Sequence, residues 1–161
     1  MGVSGSGKTT VGRALAVRLG WTFLDADAFH STDARAKMAI GQGLTDADRA
    51  PWLDQLAALI QRHLRRAEPL VLACSALKQA YRSELAHGDP RVCFLWLDVD
   101  LATLQRRLAE RTGHFAKVDL LASQFDAWEV PHPGEHVYWL DGQASVETVV
   151  EEAAVRITGR G

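Results

Sequence analysis

No part of this sequence stays apolar for long. The longest hydrophobic runs, such as residues 69–74, stop far short of the roughly 20 residues that a bilayer-spanning helix needs, and the start carries no signal-like segment. The expectation is a cytoplasmic protein with no membrane partner. Cysteine is scarce: Cys74 and Cys93 are the two in the chain, each within an apolar, strand-like segment. That placement reads as buried free thiols more than as a disulfide or a metal site. Excess charge of either sign is missing as well, since 18 Lys and Arg stand against 20 Asp and Glu for a formal net charge of −2. Such a balance leaves no electrostatic footprint for gripping a phosphate backbone, so nucleic acid is not an expected partner. Internal repeats, linkers and low-complexity stretches are also absent from the sequence. What remains is an ordinary profile, 161 residues with 47% hydrophobic and 24% charged content, which describes a single domain over 1–161.

Strand-like and helix-like segments alternate along the chain. Val11, Ala14, Leu15 and Leu19 keep helical spacing, and Gly20 follows as a C-terminal cap would. Residues 21–25 read as a short strand ending in acids, and 29–44 as a short helix and loop. Thr45 and Asp48 offer a capping box into a long helix, with Pro51 in its first turn and Trp52, Leu53, Leu56, Leu59, Ile60 and Leu64 as its apolar stripe. Residues 70–74 and 92–97 have the near-continuous apolar character of strands buried on both faces. Helices are expected over 75–85, 101–111 and 146–157, and a last strand over 137–140. Between them, 112–136 is polar, with a helical patch around 120–128, and reads as an inserted lid. The alternation predicts an α/β fold with a mostly parallel sheet.

One motif carries chemistry by itself. Residues 2–9 satisfy GxxxxGK[ST] at every defined position, and the segment runs directly into a periodic helix. Its glycines let successive N–H groups point at phosphate oxygens, and the helix start adds its positive dipole end. Gly2, Ser4, Gly5, Ser6, Gly7, Lys8, Thr9 and Thr10 are the candidate nucleotide-binding residues. Lys8 would reach the β- and γ-phosphates, and Thr9 would ligate Mg²⁺ through its hydroxyl. An ATP or GTP site follows.

Three further clusters compete to define the phosphoryl acceptor. Asp25 and Asp27 end a strand where parallel-sheet proteins place ligands, and either can take a proton from a hydroxyl or hold a magnesium-bound water; solvated turn acids are the other reading. Lys78 and Arg82 are i,i+4 on an expected helix with Tyr81 between them, which suits an anionic substrate or an ordinary basic face. Arg107, Arg111 and His114 flank Gly113 at the mouth of the polar insertion, where cations on a closing loop can neutralise transferring phosphate, or simply favour a helix end.

Taken together these segments resemble the gluconate kinase family of small P-loop kinases, related in fold to shikimate kinases. The resemblance extends nearly end to end: the loop at 1–9, the Asp and His segment at 23–30, Lys37-Met38 through Gly41, the stretch at 44–53 with Asp46, Asp48, Arg49, Pro51 and Trp52, the CSALK..YR segment at 74–82, and Arg111, Gly113, His114 and Phe115 followed by Ser123-Gln124. The sequence departs from the family pattern at Ser31, Gly43 and Ala116. The resemblance implies a three-layer α/β/α P-loop fold with a small helical lid, a homodimer, and phosphorylation of D-gluconate at its 6-hydroxyl by ATP with Mg²⁺. It implies catalytic roles for Lys8, Asp27 and Arg111, a magnesium-side role for Asp25 with Thr9, and a substrate pocket of Asp27, His30, Arg49, Lys78, Arg82 and His114.

Two other readings stand beside it. A shikimate-type kinase would show a glycine triplet where residues 74–78 stand, and a nucleotide-binding protein without turnover would not need Lys8, Thr9, Asp27 and Arg111 together. A phosphate loop also joins a strand to a helix, and here Met1 alone precedes Gly2. The expectation is a sheet lacking its first strand, a chain of low stability or activity, and a natural start upstream.

Overall fold

A computed structural model of the chain describes residues 1–40, 42–110 and 115–159, with 115–120 as backbone. The element order is α1 (Lys8–Leu19), β1 (Thr22–Asp25), a 3-10 turn (Ala26–Phe29), α2 (Thr32–Ala39), α3 (Asp46–Arg66), β2 (Leu70–Ala73), α4 (Gln79–Ala86), β3 (Phe94–Asp98), α5 (Leu101–Glu110), α6 (Phe115–Asp126), β4 (Val137–Asp141) and α7 (Val146–Thr158). Among the described residues the strands form two parallel pairs, β1 with β2 and β3 with β4.

Three layers result from the period-2 alternation of the strands. Val71, Leu95 and Leu97 turn to one face, where Leu15 of α1 and Val149 and Ala153 of α7 cover them. Their neighbours Leu24, Leu72 and Phe94 turn to the other, against Trp52, Leu53 and Leu56 of α3 and Leu85 of α4. Leu56 and Leu104 are fully buried, and each such side chain contributes about 1.5–3 kcal/mol of burial. The expected α/β/α architecture is therefore the observed one.

Local signals set most boundaries. Gly20 ends α1 in a left-handed conformation and donates back to Ala16 and Val17. Thr45 and Asp48 close the capping box that starts α3, and Pro51 sits in its second turn. The helix expected from residue 75 does not start there. Ala76 adopts a left-handed φ of 47° and Lys78 is extended, so α4 begins only at Gln79. A non-glycine residue in that region costs about 1–2 kcal/mol, and buried donors offset it: the Arg82 guanidinium donates to the carbonyls of Ala76 (3.3 Å) and Leu77 (2.9 Å).

Between the strand pairs, Met1 takes up a strand-like position. Its amino group donates to the Leu95 carbonyl, and the Leu97 N–H donates to its carbonyl at 3.0 Å. Behind it, β2 and β3 line a cavity of about 780 Å³ with Val11, Leu15, Val71, Cys74, Phe94 and Leu95 on its walls. Neither cysteine is in a disulfide; Cys74 is buried, and burial pushes its thiol up to about 11, while Cys93 is only half-buried. No helix among the described residues is long and apolar enough to cross a membrane.

Candidate active site

The phosphate loop joins Met1 to α1. Gly5 and Gly7 have φ of 83° and 97°, conformations that L side chains rarely adopt, and a Cβ on Gly5 would lie 3.2 Å from Leu108. Gly7 precedes α1 without a side-chain cap, and no acid occupies the first turn, so Lys8, Thr9 and Thr10 start the helix with donors facing outward. The Lys8 ammonium folds back onto the Val3 carbonyl at 2.9 Å. Ser6 is buried, its hydroxyl unpartnered among the described residues, while the Ser4 N–H donates to the Gln124 amide oxygen on α6 at 2.7 Å. Arg107 spans from the Ser6 carbonyl (3.5 Å) to the Gly142 carbonyl (3.0 Å), so it ties the loop to the segment between β4 and α7.

At the end of β1, Asp25 links the loop to the next segment. One carboxylate oxygen accepts from the Thr9 hydroxyl at 2.8 Å, and the other accepts from the Asp27 N–H at 3.1 Å. The Asp27 carboxylate itself is exposed at the start of the 3-10 turn. Three residues on, His30 is buried and stacks on Trp52 at 4.5 Å, and its Nδ1 has no hydrogen-bond partner among the described residues. Burial pushes its pKa down, with Arg49 and Arg35 adding to that and Asp27 opposing it, so the ring is neutral near pH 7. Asp27, His30 and Arg49 thus share one neighbourhood.

A second group of side chains meets at the start of α3. Both carboxylate oxygens of Asp46 lie 2.8 Å from the Lys78 ammonium, and the Tyr81 hydroxyl donates to one of them. Arg49 stands 3.9 Å from the same carboxylate and reaches the Tyr81 hydroxyl at 3.5 Å. Arg49 and Lys78 also lie over the Tyr81 ring, 5.9 Å and 5.6 Å from its centroid. Hydrogen bonds from Lys78 and then Tyr81 hold the Asp46 carboxyl below the usual carboxylate range, and Asp46 raises Lys78 in return.

Lys78 and Arg82 do not project together. Because α4 starts at Gln79, Lys78 leaves the chain ahead of the helix, while Arg82 points inward. Its side chain is 0% exposed and pairs with Glu135 at 2.5 Å and 3.1 Å. Arg82, expected in the substrate pocket, is instead consumed by a buried ion pair that fixes the segment after α6. The spacing argument failed because it assumed a helix already formed at residue 78. Arg111 and His114 lie outside the described residues, as does Gly41.

Asp46 and Gln124 lie within the motifs of the family resemblance without a role there; an acid at the first helical position of α3 and a polar residue on α6 were the available signals. Glu135 had none, being a lone acid in a turn after two prolines.

Residues 1–130 match the AAA domain family. Over 152 residues the chain is 44% identical to a gluconokinase of Gluconobacter oxydans, covering 94% of this chain and 85% of that protein. It belongs to the gluconokinase family. Solved structures agree on the fold. A sugar kinase from Janibacter sp. HTCC2649 superposes with a TM-score of 0.91 at 40% identity, covering 98% of this chain and 91% of that one. A gluconokinase from Sinorhizobium meliloti superposes with a TM-score of 0.85 at 39% identity, covering 99% and 89%.

Proposed function

We propose that this chain is an ATP-dependent kinase that transfers the γ-phosphoryl group to the 6-hydroxyl of D-gluconate, giving 6-phospho-D-gluconate. The observation that carries the reading is the adjacency of two unlike sites. A phosphate loop is coupled through Thr9 and Asp25 to the exposed Asp27, and the Asp27 neighbourhood runs through His30 and Arg49 into a cationic seat at Lys78. Phosphoryl transfer needs positioning and charge neutralisation, with no covalent intermediate, and a sugar acid needs a cation for its carboxylate.

In this reading the N–H groups of residues 4–10 cradle the phosphates, and Lys8 moves from the Val3 carbonyl to a phosphate oxygen. Asp27 takes the proton from the substrate hydroxyl as its oxygen bonds to the γ-phosphorus and the bond to the β–γ bridging oxygen breaks. Lys78 and Arg49 hold the carboxylate, and neutral His30 lines the polyol chain. The Thr9 hydroxyl and Asp25 fit a Mg²⁺ site of the kind that takes few protein ligands and completes its shell with phosphates and water. Bound there, Mg²⁺ supplies neutralisation of phosphate charge. Arg111 is the candidate lid cation.

Coupled ADP release with gluconate, with shikimate and with no acceptor tests this. Gluconate-dependent turnover is expected; ADP release that ignores gluconate, or follows shikimate instead, overturns it.

A further inference from the structure

We propose that Asp46 is a positioning residue for substrate recognition, an internal carboxylate that builds the seat for an external one. The inference rests on the reading of Lys78 and Arg49 as the groups that meet the gluconate carboxylate. Its own ground is the convergence at Asp46: two cations and a phenol from α3, the segment before α4 and α4 itself all meet one carboxylate.

Charge and geometry both favour a constructive role over a merely structural one. Lys78 and Arg49 lie over the same Tyr81 ring, close enough to repel each other, and Lys78 carries its charge on a flexible four-carbon stem. Asp46 answers both problems. Binding Lys78 through two oxygens fixes that stem, and accepting from Tyr81 fixes the ring on which the cations rest. Two cations and one anion leave a single net positive charge, which matches the single negative charge of a sugar acid. The ammonium retains donors, and Arg49 keeps most of its guanidinium fork, since its contacts are long, 3.5 Å to Tyr81 and 3.9 Å to Asp46.

Stability gives little reason for the arrangement. The Asp46 side chain is 64% exposed, and ion pairs so open to water stabilise a fold weakly. The helix start is already capped by Thr45 and Asp48, so α3 does not depend on Asp46 for its cap. What Asp46 does is determine where Lys78 and Tyr81 stand.

The test is steady-state kinetics on the full chain with Asp46→Asn, Asp46→Glu, Lys78→Met and the Asp46→Asn/Lys78→Met double variant, each with a thermal melt. The expected result for Asp46→Asn is a KM for gluconate raised about tenfold, equivalent to about 1.4 kcal/mol. KM for ATP, kcat and the melting temperature should stay near the parent values, and Asp46→Glu should recover much of the loss. In the Lys78→Met background, Asp46→Asn should add little, because its effect runs through Lys78. An unchanged KM overturns the proposal. So does a lowered KM, which would make Asp46 a competitor for the seat, and so does a joint fall of kcat and melting temperature. A parent chain without gluconate-dependent turnover would instead sink the functional reading on which this one rests.

Discussion

The hydroxyl of Thr9 donates to the carboxylate of Asp25 across 2.8 Å, although 16 residues separate them. This bond joins the first turn of α1 to the end of β1, and through its other oxygen Asp25 also fixes the backbone of Asp27. The phosphate loop and the candidate base are therefore held by one side chain, which divides the work of the two acids: Asp25 orients, and Asp27 presents a free face.

That division predicts unequal losses. If Asp27 is the base proposed above, Asp27→Asn removes the proton acceptor and should lower kcat by about 10²–10⁴-fold, the usual weight of a general base. Asp25→Asn keeps an oxygen for Thr9, so its loss should be smaller and appear chiefly as a raised Mg²⁺ requirement. Titrating Mg²⁺ in a coupled ADP assay on both variants checks this, and a larger kcat loss for Asp25→Asn would reverse the assignment.

A buried ion pair gives the second prediction. Arg82 is fully buried, its partner Glu135 is 16% exposed, and the Arg82 guanidinium also holds the carbonyls around Ala76. Removing one partner of such a pair leaves a buried charge alone and costs about 3–5 kcal/mol. For a domain of this size that is a fall in melting temperature of roughly 6–20 °C. Glu135→Leu, which strands the fully buried Arg82 charge, should show it most and Arg82→Met somewhat less, while the double variant should lose much less than their sum. Calorimetry on the two single variants and the double decides; additive losses would mean that the two side chains do not act as a pair.

Much of the fold and part of the site could be read from local chemistry. The phosphate loop, the capping box at Thr45 and Asp48, and the Gly20 cap are signals that short segments carry in themselves. Near-continuous apolar runs likewise placed β2 and β3. The fate of Arg82 could not be read that way, because its partner Glu135 lies 53 residues on in a turn without periodicity. Lys78 was misplaced for a related reason: a left-handed Ala76 delays α4, and nothing in its side chain marks it for that conformation. The role of Asp46 depends on three elements meeting, and that is a property of tertiary packing.

The start of α3 gives a pH prediction. Hydrogen bonds from Lys37 first, then from the Thr45 backbone and hydroxyl, hold the Asp48 carboxyl at about 2. A carboxyl lowered on folding adds stability above its unfolded pKa, and that stability disappears as pH falls through the folded value. The contribution should be intact above pH about 4 and vanish towards pH 2. Melts of the parent chain between pH 5 and pH 2 should fall more steeply than those of Asp48→Asn, which has no such proton to gain. Parallel curves would show that the Lys37 and Thr45 bonds do not stabilise the charged form.

The cavity between the strand pairs yields the last prediction. β2 and β3 both border it, its walls are largely apolar, and Met1 already pairs with β3 at its end through Leu95 and Leu97. Unpaired strand edges and unfilled apolar volume both weaken a fold. Adding about five apolar, β-branched residues ahead of Met1, the usual length of a strand, should continue the pairing of Met1 and fill the space. Each kcal/mol gained is expected to raise the melting temperature by about 2–4 °C, and amide exchange on β2 and β3 should slow. The same number of polar glycine and serine residues should do neither. Equal melting for the two additions would show that the cavity does not accept a strand.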